Sequence, residues 1–199
     1  MSLRPDLDLI AHLVPNASRV LDLGCGDGNL LQHLIADHGC TGTGVEIDSE
    51  LVLTAIGAGV PVMELDLDAD LGLFASGSYD WVVLSRTIQT IRRPEVVLQE
   101  MARIGNRLIV SVPNFGLLQH RLMLLRGRMP MSRELPYSWY DTPNLRFTTL
   151  VDLEELFAKL GLVIDQRINL SLAGEQLGNR FRAANLRAGA AVYVLSQRR

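Results

Sequence analysis

Cysteine is nearly absent. Cys25 and Cys40 could form one bridge at most, and a 199-residue chain with 48% apolar side chains can bury a core without staples, so two free thiols are expected. No apolar run reaches about 18 residues, which argues against a membrane-spanning helix. The opening stretch MSLRPDLDLI carries acids where a secretory signal needs an apolar centre, so a cytoplasmic location is expected. Charge of either sign is in short supply as well. A net charge of −3 gives no electrostatic case for nucleic acid or anionic lipid as the main partner. The histidines His12, His33, His38 and His120 are scattered without the spacing of zinc ligands, and no metal site is expected. Repeats, low-complexity tracts and linker composition are missing too, so residues 1–199 read as a single domain.

What is present is a rhythm of short apolar runs and helix-period segments. RVLDLG, TGTGVEID, VPVMELD, YDWVVLS and RLIVSVP read as strands. Between them NLLQHLIADHG, ELVLTAIGAG and PEVVLQEMARIG read as helices, the first stopped by Gly39 and the last carrying proline in its first turn. A further helix, TLVDLEELFAKLG, precedes the strands LVIDQRI and AAVYVLS. Strands alternating with helices imply an α/β fold, a mostly parallel sheet with helices on both faces. The pattern assigns no element to Ser171–Arg187.

The rhythm breaks between Asn114 and Phe147. This stretch mixes Arg121, Arg126, Arg128 and Arg133 with Leu122, Met123, Leu125, Met129 and Met131, then adds Tyr137, Trp139 and Tyr140. Long irregular segments in compact domains are functional lids or disordered, and the aromatic residues argue for order. The arginines form either a solvated face or, with the methionines, a partner-docking surface. Residues 114–147 are therefore expected to be an irregular lid or docking insertion.

The sharpest local signal is VLDLGCGDGN, in which a strand runs into Asp22, Gly24, Cys25, Gly26, Asp27 and Gly28. Alternate glycines let a backbone turn sharply and approach a ligand where a Cβ would collide. In an open α/β sheet such a turn lies at the carboxyl edge of the first strand, where ligands settle. The spacing is G-x-G-x-G rather than the dinucleotide G-x-G-x-x-G, and two carboxylates crowd the place a pyrophosphate would need. A cationic, phosphate-free nucleoside such as S-adenosylmethionine suits those acids. Glu46, ending the second strand, could accept from both ribose hydroxyls, and Asp66, after the third, from an adenine amine while Leu65 or Leu67 packs on the ring. Read singly, each is an ordinary strand-end acid. Three at successive strand ends make a cofactor site the better reading, with Ile47, Leu67 and Ser85 as further candidate contacts.

Together VLDLGCGDG, GVEID, ELDLD and YDWVVLSRTIQ resemble class I S-adenosylmethionine-dependent methyltransferases. More narrowly, LSRTIQTIRRPEVVLQEMARIGNRLIVSVPNFG, RGRMP and LPYSWYDTPNLRF are similar to the methionine biosynthesis protein W (MetW) family, from about Arg4 to Asn169. The resemblance implies a Rossmann-like, seven-stranded sheet with its last strand, AAVYVLS, antiparallel. It implies binding of S-adenosylmethionine or S-adenosylhomocysteine, and a role in methionine biosynthesis supporting a homoserine O-acyltransferase.

Many small-molecule methyltransferases resemble one another in a histidine shortly after strand four. This chain has Ser85-Arg86-Thr87-Ile88-Gln89-Thr90 there, with neither imidazole nor carboxylate. Gln89 and Ser85 can hydrogen-bond a ligand but are poor bases. Tyr137, Tyr140 and Asp141 could contact a substrate or simply anchor their segment. No catalytic residue is assigned. Two functions stay open, an accessory protein that activates the acyltransferase and an active small-molecule methyltransferase.

Overall fold

The computed structural model describes residues 3–178 and 181–198. A helix that the sequence pattern does not announce, α1 (Pro5–Leu13), comes first, with proline in its opening turn and Asp6 and Asp8 near the positive end of its dipole. Then β1 (Arg19–Leu23), α2 (Asn29–His38), β2 (Thr41–Glu46), α3 (Ser49–Gly57) and β3 (Val62–Glu64) alternate as anticipated. Gly39 ends α2 in the left-handed conformation, and Asp48 opens α3 by accepting from the amides of Glu50 and Leu51. They are followed by β4 (Tyr79–Ser85), α4 (Pro94–Ile104) and β5 (Gly105–Pro113). The chain closes with α5 (Leu118–Leu125), α6 (Leu150–Lys159), β6 (Leu162–Leu170), β7 (Gln176–Leu177), α7 (Phe181–Arg187) and β8 (Ala190–Gln197).

These strands form one sheet in the order β3-β2-β1-β4-β5-β8-β6-β7. β1 to β5 pair in parallel, whereas β8 runs antiparallel to both β5 and β6, as the resemblance implies for the last strand. The fold is the Rossmann-like α/β architecture expected, with eight strands in place of seven. The additional strand arises because Gly174, at φ +87°, reverses the chain and lets Leu177 and Gln176 pair with Asn169 and Leu170. It falls, with α7, inside the stretch to which the pattern gave no element.

Period-two alternation sorts the strand residues onto the two faces. Leu21, Leu23, Val82, Leu84, Leu108 and Val110 pack with α4 and α6, whereas Val20, Val83 and Ile109 pack with α1, α2 and α3. Both faces are covered, which is why β4 and β5 read as continuous apolar runs. Cys25 and Cys40 are free and buried. Among the described residues no helix is long and apolar enough to cross a membrane.

The 114–147 segment is less irregular than its composition suggests, since it contains α5. That helix is anchored by His120, which is fully buried and has Nδ1 3.2 Å from the Asn114 carbonyl. Burial pushes the imidazole below its ordinary pKa, and Phe115 stands between it and Phe147, with ring centroids 5.9 and 5.0 Å away.

Candidate functional site

The strand order reverses between β1 and β4, and a cleft of about 310 Å³ opens at the carboxyl ends of these strands. Gly24, Glu46, Asp66 and Arg86 reach it from the ends of β1, β2, β3 and β4. Ile47, Leu67, Thr87, Ile91 and Leu145 supply the apolar and aliphatic parts of its wall.

The glycine turn is built by backbone. The amides of Gly24 and Cys25 both donate to the Val45 carbonyl, at 2.7 and 3.0 Å, which folds the turn across the end of β2. Gly24 has φ +72°, and a Cβ there would stand 2.5 Å from Thr87 Oγ1 and 2.6 Å from Cγ2, so only glycine fits. Gly26, at φ +58°, faces open space. Gly28, at φ +79°, forms the N-terminal boundary of α2.

Glu46 ties the turn to the second strand. Its Oε2 accepts from the Gly26 amide at 2.9 Å, and its Oε1 from the amides of Ile47 and Asp48 at 2.8 and 3.1 Å. Asp66 Oδ1 accepts from the Asp68 amide at 2.8 Å, and the Asp68 carboxylate from the amides of Arg92 and Arg93. All three acids are therefore fixed acceptors at the rim of the cleft, each carboxylate retaining lone pairs for a ligand.

Asp22 lies beneath the turn, 3% exposed, and its Oδ1 is buried without a hydrogen-bond partner. Burial pushes its pKa up to about 7, the nearby Glu46 adding to the rise and Arg4 opposing it. A buried, unsatisfied carboxylate oxygen under a glycine turn suits a ligand that brings positive charge. This set of acceptors thus fits the ammonium and ribose hydroxyls of S-adenosylmethionine.

Of the residues singled out in the sequence, Gly24, Glu46, Ile47, Asp66 and Leu67 converge on the cleft. Asp22, Gly26 and Gly28 do not themselves line it, and the others lie beside it. The Cys25 side chain is buried toward Gly44, and burial followed by the neighbouring Asp22 and Glu46 carboxylates pushes its thiol up to about 12. Asp27 is exposed and accepts from the Asn29 side chain at 2.6 Å, so its carboxylate is engaged at the start of α2 and not in the cleft. Ser85 is buried behind the cleft, its hydroxyl 3.1 Å from Ser111 Oγ and 3.4 Å from Asp6 Oδ2. Gln89 turns inward, donating to the Arg86 carbonyl. Tyr137 faces a separate small cavity with Trp139 and Phe147, and Tyr140 and Asp141 are exposed.

Sequence reasoning missed the residue at the centre of the arrangement. Arg86 adopts φ +52°, a left-handed backbone rare outside glycine. Its guanidinium is held by two buried acids, Asp6 Oδ2 at 3.0 Å from Nε and Glu134 Oε2 at 2.7 Å from Nη2. Burial raises the Glu134 pKa, and the Arg86 charge opposes that rise. Ions this deep are tolerated because each has its counter-charge. The sequence hinted at Arg86 only by an arginine where a histidine was sought.

Residues 4–195 match the family described as methionine biosynthesis protein MetW. Over 178 residues, 84% of the chain, it is 35% identical to the bifunctional methionine biosynthesis protein MetXA/MetW of Rhodopirellula baltica. Over 112 residues, 52% of the chain, it is 31% identical to a ubiquinone biosynthesis O-methyltransferase of Xanthomonas axonopodis pv. citri. The matches span 29% and 46% of the lengths of those relatives. In fold it is similar to the crystal structure of an S-adenosylmethionine-dependent methyltransferase from Mesorhizobium loti, with a TM-score of 0.71 at 15% identity and 98% of each chain covered. That likeness concerns architecture, while the match over residues 4–195 is one of sequence, and by it the chain belongs to the MetW family.

Proposed function

We propose that this chain binds S-adenosylmethionine or S-adenosylhomocysteine in the cleft and serves methionine biosynthesis by supporting a homoserine O-acyltransferase in a direct complex. The Asp22 carboxylate beneath the Gly24 turn carries the cofactor reading, because its buried Oδ1 has no hydrogen-bond partner and, unlike Asp6 and Glu134, the side chain has no ion pair among the described residues. Asp22 would meet the positive amino-acid end of the ligand, Glu46 the ribose hydroxyls and Asp66 the adenine amine, with Leu67 against the ring. When bound, the cofactor supplies an electrophilic methyl group on a sulfonium.

What the chain adds around that methyl favours an accessory role. The cleft is walled near β4 by Arg86, Thr87 and Thr90, and none of these is a base at neutral pH. The rim acids Glu46 and Asp66 are the groups this reading gives to the ribose and the adenine, away from the methyl. The Rhodopirellula baltica relative, whose name joins MetXA and MetW in one chain, supports a physical association between this unit and its partner. Mixing the purified proteins tests this reading. Association and a change in acyltransferase rate are expected, whereas neither, with or without S-adenosylmethionine, removes it.

A second reading, an active small-molecule methyltransferase, is favoured by the O-methyltransferase relative. It requires an acceptor already nucleophilic or a base from outside the cleft. S-Adenosylhomocysteine that never rises above background across a broad acceptor panel would exclude it.

A further inference from the structure

Residues 118–147 carry the strongest unassigned feature of the surface. Leu125, Trp139 and Tyr140 are 83%, 71% and 76% exposed, Leu122 and Met129 are open as well, and Met129 lines one small cavity with Tyr137 and Trp139. Trp139 and Tyr140 pack edge to face with centroids 5.6 Å apart, forming one amphipathic block rather than two loose rings. So many large apolar side chains turned to solvent within one stretch of chain mark a contact surface.

Its charge is as distinctive. Between 114 and 147 there are five arginines and two acids, a net positive stretch in a chain of net charge −3. One of those acids, Glu134, points inward with its side chain 5% exposed, leaving Asp141 as the outward one. Arg126 and Arg128 are exposed and make no ion pair among the described residues. The complementary surface is therefore apolar at its centre and acidic at its rim. A protein satisfies that better than an anionic bilayer, which the net negative body would repel beyond the patch.

The same segment builds part of the cofactor cleft. Leu145 lines the cleft, and the amides of Leu145 and Arg146 both donate to the Gln89 carbonyl, at 2.8 and 2.9 Å. Arg146 Nη2 donates to the carbonyl of Arg92, another lining residue, and Glu134 holds the Arg86 guanidinium. Outer face and inner wall are thus one piece of chain, fastened at three points to the loop after β4.

We propose that residues 118–147 form the docking face for the acyltransferase, through an apolar, acid-rimmed surface on that partner, and that this face shares a wall with the cofactor cleft, so that filling either changes the affinity of the other. The inference rests on the complex and the cofactor site proposed above. It adds where the partner sits and why the two sites communicate. By linkage, the factor by which cofactor changes partner affinity equals the factor by which partner changes cofactor affinity.

The test is calorimetry on the full chain with purified homoserine O-acyltransferase, at zero and saturating S-adenosylmethionine, and the reciprocal titration. Affinities shifted by the same factor, on the order of fivefold or more, are expected in both directions. Leu125→Asp and Trp139→Ser should each weaken the partner at least about tenfold while leaving cofactor affinity unchanged. Glu134→Gln should still bind both but bring the factor toward one. If the parent forms the complex and both surface variants bind as tightly, the docking face is wrong while the complex survives. Equal partner affinity with and without cofactor overturns the linkage. Binding to phosphatidylglycerol vesicles, or self-association of the chain, that Leu125→Asp abolishes would assign the face to lipid or to a second copy and overturn the proposal. No complex in any state removes this inference together with the association it rests on.

Discussion

The glycine turn after β1 and the segment after β5 sit at the same end of the sheet, yet they are made on opposite plans. The turn spends its side chains inward or does without them: Gly24 touches Thr87, Asp22 is buried and Cys25 packs on Gly44. The later segment holds its backbone with a few anchors and turns its largest side chains to solvent. A cleft whose shape is set by backbone tolerates almost no change, whereas a face made of exposed side chains should tolerate nearly any change until its partner arrives.

The sharpest way to break that contrast is Gly24→Ala. The added methyl meets Thr87 at 2.5 Å on a backbone of φ +72°, so a loss of about 2–4 kcal/mol in stability and of measurable cofactor binding is expected, read by thermal melting and calorimetry. A variant that melts like the parent would mean the turn is not the rigid element described.

Asp22→Asn should act next most strongly, and in a pH-dependent way. The unfolded chain releases this proton near pH 4 and the folded chain near 7, so between those values the folded state binds more protons and stability falls as pH rises. The variant should match the parent near pH 4 and exceed it by roughly 2–4 kcal/mol at pH 8, shown by denaturant titrations at both pH values. A constant difference across that range would contradict the burial assigned to Asp22. In the parent, a cationic ligand should favour the ionised carboxylate, so its binding near pH 6 should release a proton, detectable from heats in two buffers.

Asp66→Ala is a smaller perturbation. It should weaken cofactor binding by about 1–3 kcal/mol, the worth of one unpaired ligand donor, and unchanged affinity would move the adenine elsewhere. Smallest of all, Trp139→Ser should change the stability of the isolated chain by no more than about 0.5 kcal/mol, since its ring is 71% exposed. A large drop in melting temperature would show that the aromatic block is structural.

The same contrast explains what the sequence made legible. Alternating strands and helices, the two-faced burial of β4 and β5, and the strand-edge positions of Gly24, Glu46 and Asp66 follow from periodicity and from the φ that glycine permits. These are local rules. α1 is hard to read because Pro5 and Asp6 open a helix of only 9 residues, too short for a strong period. Arg86 is hidden because its role depends on Asp6, 80 residues earlier, and on Glu134, 48 residues later, and no spacing rule joins them. Ser85 ends β4 and Gln89 follows it, but which way a polar side chain turns at a strand end is decided by neighbours such as Ser111.

The Asp6–Arg86–Glu134 bridge also limits how far the molecule can be cut down. A version beginning at Arg19 would keep every strand and the whole glycine turn, yet it would take from the Arg86 guanidinium one of its two buried counter-ions, which leaves with the first helix. The smallest portable unit of this site therefore starts well upstream of its signature motif.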